Sequence, residues 1–161
     1  MIKREIKSVL VDYNSPAELS QELQELIRKA KNAAENAYAP YSEFKVGAAV
    51  LLDNNEIIEG SNQENAAYPS GLCAERVAIF YANAKYPNAH IKAIAVTAST
   101  KKGFIKDPIP PCGSCLQVML ESEQRANKSI QVLLFGSNKI TVAENIKQFL
   151  PVYFNKKMLD S

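Results

Sequence analysis

Between residues 15 and 40 the apolar side chains recur every three or four positions: Leu19, Leu23, Leu26, Ile27, Ala30, Ala34 and Ala37. That spacing lines one face of a helix. Ser15-Pro16-Ala17-Glu18 reads as its start, with Ser at the N-cap, Pro in the first turn and Glu three residues on, and Pro40 as its stop. The period then shortens. Residues 46–52 read as a strand, Asp53-Asn54-Asn55 as a turn, and Glu56-Ile57-Ile58-Glu59 as the hairpin partner. A polar loop over 61–71 leads into a helix predicted over 73–84, and 91–98 alternates as a strand. After a loop rich in Lys and Pro, a helix is predicted over 113–121 and a strand over 130–135. Thr141-Val142-Ala143-Glu144 has the form of a second capping box and predicts a last helix ending near Pro151. Ser8-Val9-Leu10-Val11 looks extended, but residues 1–14 carry no pattern that assigns them a role. The order helix, hairpin, helix, strand, helix, strand, helix predicts a layered α/β domain with at least four strands. No repeat, low-complexity tract or linker interrupts it, so residues 1–161 are expected to form one domain.

Composition narrows the function classes. At 161 residues and 47% hydrophobic content the chain can bury a proper core. Its net charge is only +2, and its basic residues are scattered, as in Lys3-Arg4, Lys101-Lys102 and Lys156-Lys157. No basic stripe with interleaved aromatics is present, so nucleic acid is not an expected partner. The charged opening Met1-Ile2-Lys3-Arg4-Glu5 has no long apolar run after it, which argues against a secretory signal or membrane span. Three cysteines, two of them as Cys-x-x-Cys, do not suit a disulfide framework. The expectation is a cytoplasmic protein.

All three cysteines lie in two motifs, Cys73-Ala74-Glu75-Arg76 and Pro111-Cys112-Gly113-Ser114-Cys115. Catalytic zinc takes three protein ligands and leaves the fourth position for water. Each motif stands at a predicted helix start, where free N–H groups and the positive end of the dipole favour thiolate over thiol. Three thiolates around Zn²⁺ would weaken its acidifying power, and a nearby cation such as Arg76 would withdraw part of that charge. Glu75, two residues after Cys73, is placed to move protons for the metal's water. This is the pattern of zinc nucleobase deaminases, a ligand-x-Glu followed by Pro-Cys-x-x-Cys. Taken singly the residues have plainer explanations. Cys-x-x-Cys also serves redox pairs and structural zinc, although a structural site needs a fourth ligand and the sequence offers no fourth Cys. The only histidine, His90, falls in a loop before a strand and is expected to be a solvated surface residue, not a ligand.

The chain resembles the cytidine deaminase family, in its small tetrameric branch with three cysteine ligands. The likeness covers about 38–154. Its densest parts are Tyr38-Ala39-Pro40-Tyr41-Ser42-Glu43-Phe44-Lys45-Val46-Gly47-Ala48-Ala49, Gly60-Ser61-Asn62-Gln63-Glu64-Asn65-Ala66-Ala67-Tyr68, and both cysteine motifs. Leu150-Pro151-Val152-Tyr153-Phe154 resembles the family's Leu-Pro-x-x-Phe. The resemblance implies a three-layer α/β/α sandwich with a central mixed β-sheet. It implies one zinc per chain on Cys73, Cys112 and Cys115, with Glu75 as proton shuttle and Arg76 beside the ligands. Asn62 and Glu64 would bind the ribose hydroxyls, Phe44 would pack on the pyrimidine, and the Ala74 backbone would contact the base. Ala66, Tyr68 and Phe154 would reach a neighbouring subunit's site in a homotetramer. The implied activity is hydrolytic deamination of cytidine and deoxycytidine in pyrimidine salvage. A modified cytosine nucleoside such as blasticidin S is the alternative substrate, and a non-catalytic zinc module the alternative class. The sequence departs from the family at Leu116, where Arg is usual, in a longer and more basic 99–107 loop, and in residues 1–14.

Overall fold

A computed structural model describes residues 1–159 of the chain. One seven-stranded sheet forms its centre. Its strands are β1 (Val11–Tyr13), β2 (Lys45–Leu52), β3 (Ile57–Ser61), β4 (Ile91–Thr100), β5 (Gly103–Phe104), β6 (Gln131–Phe135) and β7 (Ile140–Ala143). They lie in the order β1-β7-β6-β4-β2-β3, with β5 folded back on β4. Only β4 and β6 pair in parallel, so the sheet is mixed as expected.

The two faces follow from alternation along the strands. Ala48, Val50 and Leu52 of β2 point into one apolar cluster; Ala49 and Leu51 point into the other. Helix α1 (Gln21–Glu35) covers the second cluster with Leu26, Ile27 and Ala30. Helices α2 (Ala74–Lys85) and α3 (Gly113–Ala126) cover the first with Ala78, Ile79, Met119 and Leu120. The result is the three-layer sandwich.

Strand directions bring the chemistry together. β3 and β4 each run antiparallel to β2, so they run parallel to one another. α2 follows β3, and α3 follows β4 after the two-residue return strand β5 at its C-terminal end, so both helices start at the same end of the sheet. Ligands in open α/β sheets bind at such strand C-terminal ends.

Several expected elements differ. The capping box at Ser15 is real, but it closes a single 3-10 turn, Pro16–Glu18, and the chain is extended again at Leu19. α1 begins only after a second N-cap, Ser20, whose hydroxyl accepts from the Leu23 N–H, and it ends at Asn36, short of Pro40. The expected helix after Thr141 is absent. Ile140-Thr141-Val142-Ala143 is strand β7, because its β-branched side chains are buried against the sheet and its backbone pairs with both β6 and β1. Only a 3-10 turn, Ile146–Gln148, follows. The extended segment of the N-terminal residues is 11–13 rather than 8–11, and it pairs with β7. The 99–107 loop contains the β4–β5 hairpin.

Glu123 is the buried staple of the α3 end. It is 6% exposed, and its Oε1 accepts from the Ile130 N–H at 2.8 Å and the Ile146 N–H at 3.0 Å. Glu123→Ala leaves both amides without a partner and is expected to cost about 3 kcal/mol, read as a shift in the urea unfolding midpoint. A shift of a few tenths of a kcal/mol would show that water replaces the carboxylate.

Candidate active site

Cys73 is the N-cap of α2 and Cys112 the N-cap of α3; Cys115 sits in the first turn of α3, fully buried. Neither N-cap side chain bonds its own helix amides, which leaves both sulfurs free for other partners. The Cys73 and Cys112 sulfurs are 3.9 Å apart, Cys112 and Cys115 are 3.6 Å apart, and all three lie within 4.8 Å of one another. Tetrahedral zinc with Zn–S bonds of about 2.3 Å separates its sulfurs by about 3.8 Å. The spacing fits, and a thiol-only donor set suits zinc better than magnesium or calcium.

The first turn of α2 rests directly on β3. A Cβ at Gly60 would stand 2.5 Å from the Ala74 carbonyl oxygen and 2.6 Å from the Ala78 N, closer than any real Cβ packs. Only glycine admits the helix this near, and that approach fixes Cys73 and Glu75 over the strand end. Ala74 is fully buried, and its amide belongs to the first helical turn, where N–H groups have no intrahelical acceptor.

Glu75 is 4% exposed yet lines the cavity beside the sulfurs. Burial pushes its carboxyl above the ordinary range, and the Cys73 thiolate adds to the effect; its own backbone N–H and Arg76 act the other way. A carboxyl so placed can hold a proton. Cys73 is lowered to about 5, first by the bond from the Cys115 thiol and then by Arg76, against the cost of burial. Cys115 is pushed up by that same bond and by burial. Within the cluster Cys73 thus favours the thiolate and Cys115 the thiol. The Arg76 Nη2 donates to the Cys73 sulfur at 3.7 Å, while its buried Nε has no partner. Leu116, where the family usually has Arg, is buried in the core, so the departure places an apolar group in the packing.

The cavity over this cluster has a volume of about 610 Å³, within the range of small-molecule sites. Asn62, Glu64 and Tyr68 line it together with Glu75, Arg76, Cys73 and Cys112. Asn62 and Glu64 already hold the neighbouring loop. Asn62 accepts from the Val46 N–H at 2.8 Å and donates to the Phe44 carbonyl at 3.0 Å. Glu64 accepts from the Tyr41 N–H at 2.9 Å, the Ser42 N–H at 3.2 Å and the Ser42 hydroxyl. The Ser42 bond comes first among the causes that hold the Glu64 carboxyl below its usual range. Phe44 is half-buried beside the cavity but is not on its wall; Val46 is. Ala66 and Phe154 are exposed and off the wall, and the Phe154 carbonyl accepts from the Gln117 side chain at 3.1 Å.

Sequence reasoning passed over Tyr41, Ile109 and Pro110, which also line the wall. Tyr41 meets Tyr68 edge-to-face at 6.2 Å. Ile109 and Pro110 could have been flagged by their place immediately before Pro111-Cys112. His90 is not a free surface residue. Its Nδ1 is 2.7 Å from Asp53 Oδ2 and its side chain is 18% exposed, because the β2–β3 turn folds over it.

Residues 20–130 match the cytidine and deoxycytidylate deaminase zinc-binding region. The chain is 38% identical over 138 residues to a cytidine deaminase of Sporosarcina psychrophila, covering 86% of this chain and 95% of that one. With a cytidine deaminase of Halalkalibacterium halodurans it shares 49% identity over 98 residues, covering 61% of this chain and 70% of the relative. The crystal structure of a Burkholderia pseudomallei cytidine deaminase superposes with a TM-score of 0.70 at 38% identity, covering 84% of this chain and all of that one. With the zinc-binding region spanning both cysteine motifs, and the fold shared across the sheet that positions them, the chain belongs to the cytidine and deoxycytidylate deaminase family.

Proposed function

We propose that this protein hydrolyses cytidine and deoxycytidine to uridine and deoxyuridine with release of ammonia. The observation that carries the reading is a buried carboxyl, Glu75, facing a nucleoside-sized cavity beside three clustered thiols. Cys73, Cys112 and Cys115 would hold zinc, which when bound supplies activation of water at neutral pH. Glu75 takes the proton from the attacking water and delivers it to the ring nitrogen next to the amino-bearing carbon. The same carboxyl then takes the second proton from the hydroxyl now on that carbon and passes it to the amine, which leaves as ammonia while the carbonyl forms. A raised pKa suits this two-way traffic, since the group must both gain and lose a proton near neutrality. Arg76 offsets the charge of the sulfurs through its bond to Cys73.

The wall suits a nucleoside. Val46 on the wall gives the base an apolar face, and the first-turn amide of Ala74 gives it a donor. Asn62 and Glu64 are assigned to the sugar hydroxyls. Both are held rigidly by the 41–46 loop and keep spare donor and acceptor capacity. The reaction has a place in pyrimidine salvage, and reduced metal-binding thiols suit a cytoplasmic protein. A homotetramer is the proposed working form. Supporting it are the exposed Tyr68 at 77%, Phe154 at 54%, Tyr81 at 53% and Phe80 at 47%, with Tyr68 at the cavity mouth beside exposed Ala66.

Ammonia release from cytidine should be measurable with the native protein and fall at least about a thousandfold in Glu75→Gln, with zinc and fold retained. Full activity of Glu75→Gln would remove the carboxyl from the mechanism, and a zinc-loaded native protein inert to cytidine would redirect the search to modified cytosine nucleosides. Zinc uptake should also release protons, because Cys115 keeps its proton in the metal-free cluster. Affinity is therefore expected to weaken as pH falls from 8 to 6, read by competition with a chromophoric chelator. A pH-independent affinity would mean that the ligands are ionised before the metal arrives.

A further inference from the structure

The 99–107 loop ends in a run with three prolines in four residues, Pro108-Ile109-Pro110-Pro111, which delivers Cys112. Its root is held from outside the site. The turn between β6 and β7 donates two backbone bonds to it: Ser137 N–H to the Ile105 carbonyl at 2.8 Å and Asn138 N–H to the Lys106 carbonyl at 2.9 Å. Ile105 N–H returns to the Ala98 carbonyl at 3.1 Å. Phe104 packs edge-to-face on Phe135 at 6.0 Å, and the Lys31 ammonium stands 5.0 Å and 4.8 Å from the two rings. At the centre of the clasp is Gly136. A Cβ there would stand 2.7 Å from the Pro108 N and 2.8 Å from the Asp107 carbonyl carbon, and would also strike the Lys106 carbonyl oxygen. Gly136 has no left-handed backbone, so glycine is needed at this position for room alone.

From this seat to the pocket the chain is short and stiff. Cys112 lies four positions after Pro108, a reach of at most about 14 Å. Proline fixes φ near −65°, so a segment this rich in it passes a displacement on instead of absorbing it. Ile109 and Pro110 form cavity wall, Pro111 is buried, and Cys112 presents its sulfur to the cluster.

We propose that Gly136 is a positioning residue for the site. By letting the β6–β7 turn seat residues 106–108, it sets, through the proline run, both the Ile109–Pro110 wall and the Cys112 sulfur. The inference rests on Cys112 as a metal ligand and extends the reading above. Side chains at 136 lie outside the cavity, so the effect on substrate and metal is transmitted through backbone.

The test compares the native zinc-loaded protein with Gly136→Ala, Pro108→Gly and the double variant. It reads thermal unfolding, zinc loss to a chelator, and KM for cytidine per zinc-loaded molecule. Gly136→Ala is expected to remain folded while zinc loss and KM each rise about tenfold, the range for a displaced ligand support or wall. Because Pro108→Gly makes the strut flexible, the double variant is expected to be no worse than Gly136→Ala alone. A folded Gly136→Ala with native zinc loss and KM overturns the proposal, and so do effects that simply add in the double variant. If Gly136→Ala does not fold, Pro108→Gly decides. It leaves the seat intact, so a rise in zinc loss and KM supports the strut and native values overturn it. Should the native protein fail to turn over cytidine, the chelator measurement still reads the clasp, and only the substrate assignment falls.

Discussion

Everything in this site depends on two helix N-termini meeting over one end of the sheet. The meeting is imposed by strand direction: β3 and β4 are parallel because each is antiparallel to β2, so α2 and α3 must both begin at that end. Cysteines as N-caps exploit the geometry. Their sulfurs occupy the position where a capping oxygen would otherwise serve the helix, among amides without acceptors and in the positive end of two dipoles. A third thiol, one turn into α3, completes a cluster with zinc-like spacing.

The approach of backbone to backbone sets the precision. Gly60 lets the first turn of α2 touch β3, and Gly136 lets the β6–β7 turn touch the root of the proline run. The first contact adjoins Cys73 and the second lies four positions before Cys112, so glycines that carry no chemistry help to place two of the three sulfurs. The remaining wall is held by hydrogen bonds instead. Asn62 and Glu64 tie down the 41–46 segment, so the residues assigned to the sugar are already part of a rigid frame before any ligand arrives. Preorganisation of this kind lowers the ordering cost of binding.

Electrostatics divides the labour within a few ångströms. Glu75 is kept protonatable by burial and by the neighbouring thiolate, while Cys73 is kept ionised by hydrogen bonds from Cys115 and Arg76. Acid and anion adjoin in sequence, and their opposite tendencies come from what faces each: an enclosed pocket for the carboxyl, donors for the sulfur.

The two cysteine motifs, the carboxyl two residues after Cys73 and the apolar runs of the central strands are local patterns, and the sequence alone determined them. The unbroken apolar run Val46 to Leu52 announces a strand, and Cys73-Ala74-Glu75 announces its chemistry by spacing. Where local signals conflict with pairing, tertiary structure decided. Thr141 to Glu144 has the letters of a helix cap, but its β-branched residues gain more by pairing between β6 and β1. Ser15 caps a helix by its letters and only a single turn in fact, since Ser20 offers a second start. Tyr41, Ile109 and Pro110 became pocket wall, Phe44 stayed off it, and Leu116 entered the core, all through contacts between segments far apart in sequence. Gly136 is the sharpest case: its letter carries no spacing signal, and its importance exists only because the fold presses residues 106–108 against it. Periodicity and ligand spacing are properties of neighbours along the chain, whereas close approach is a property of neighbours in space.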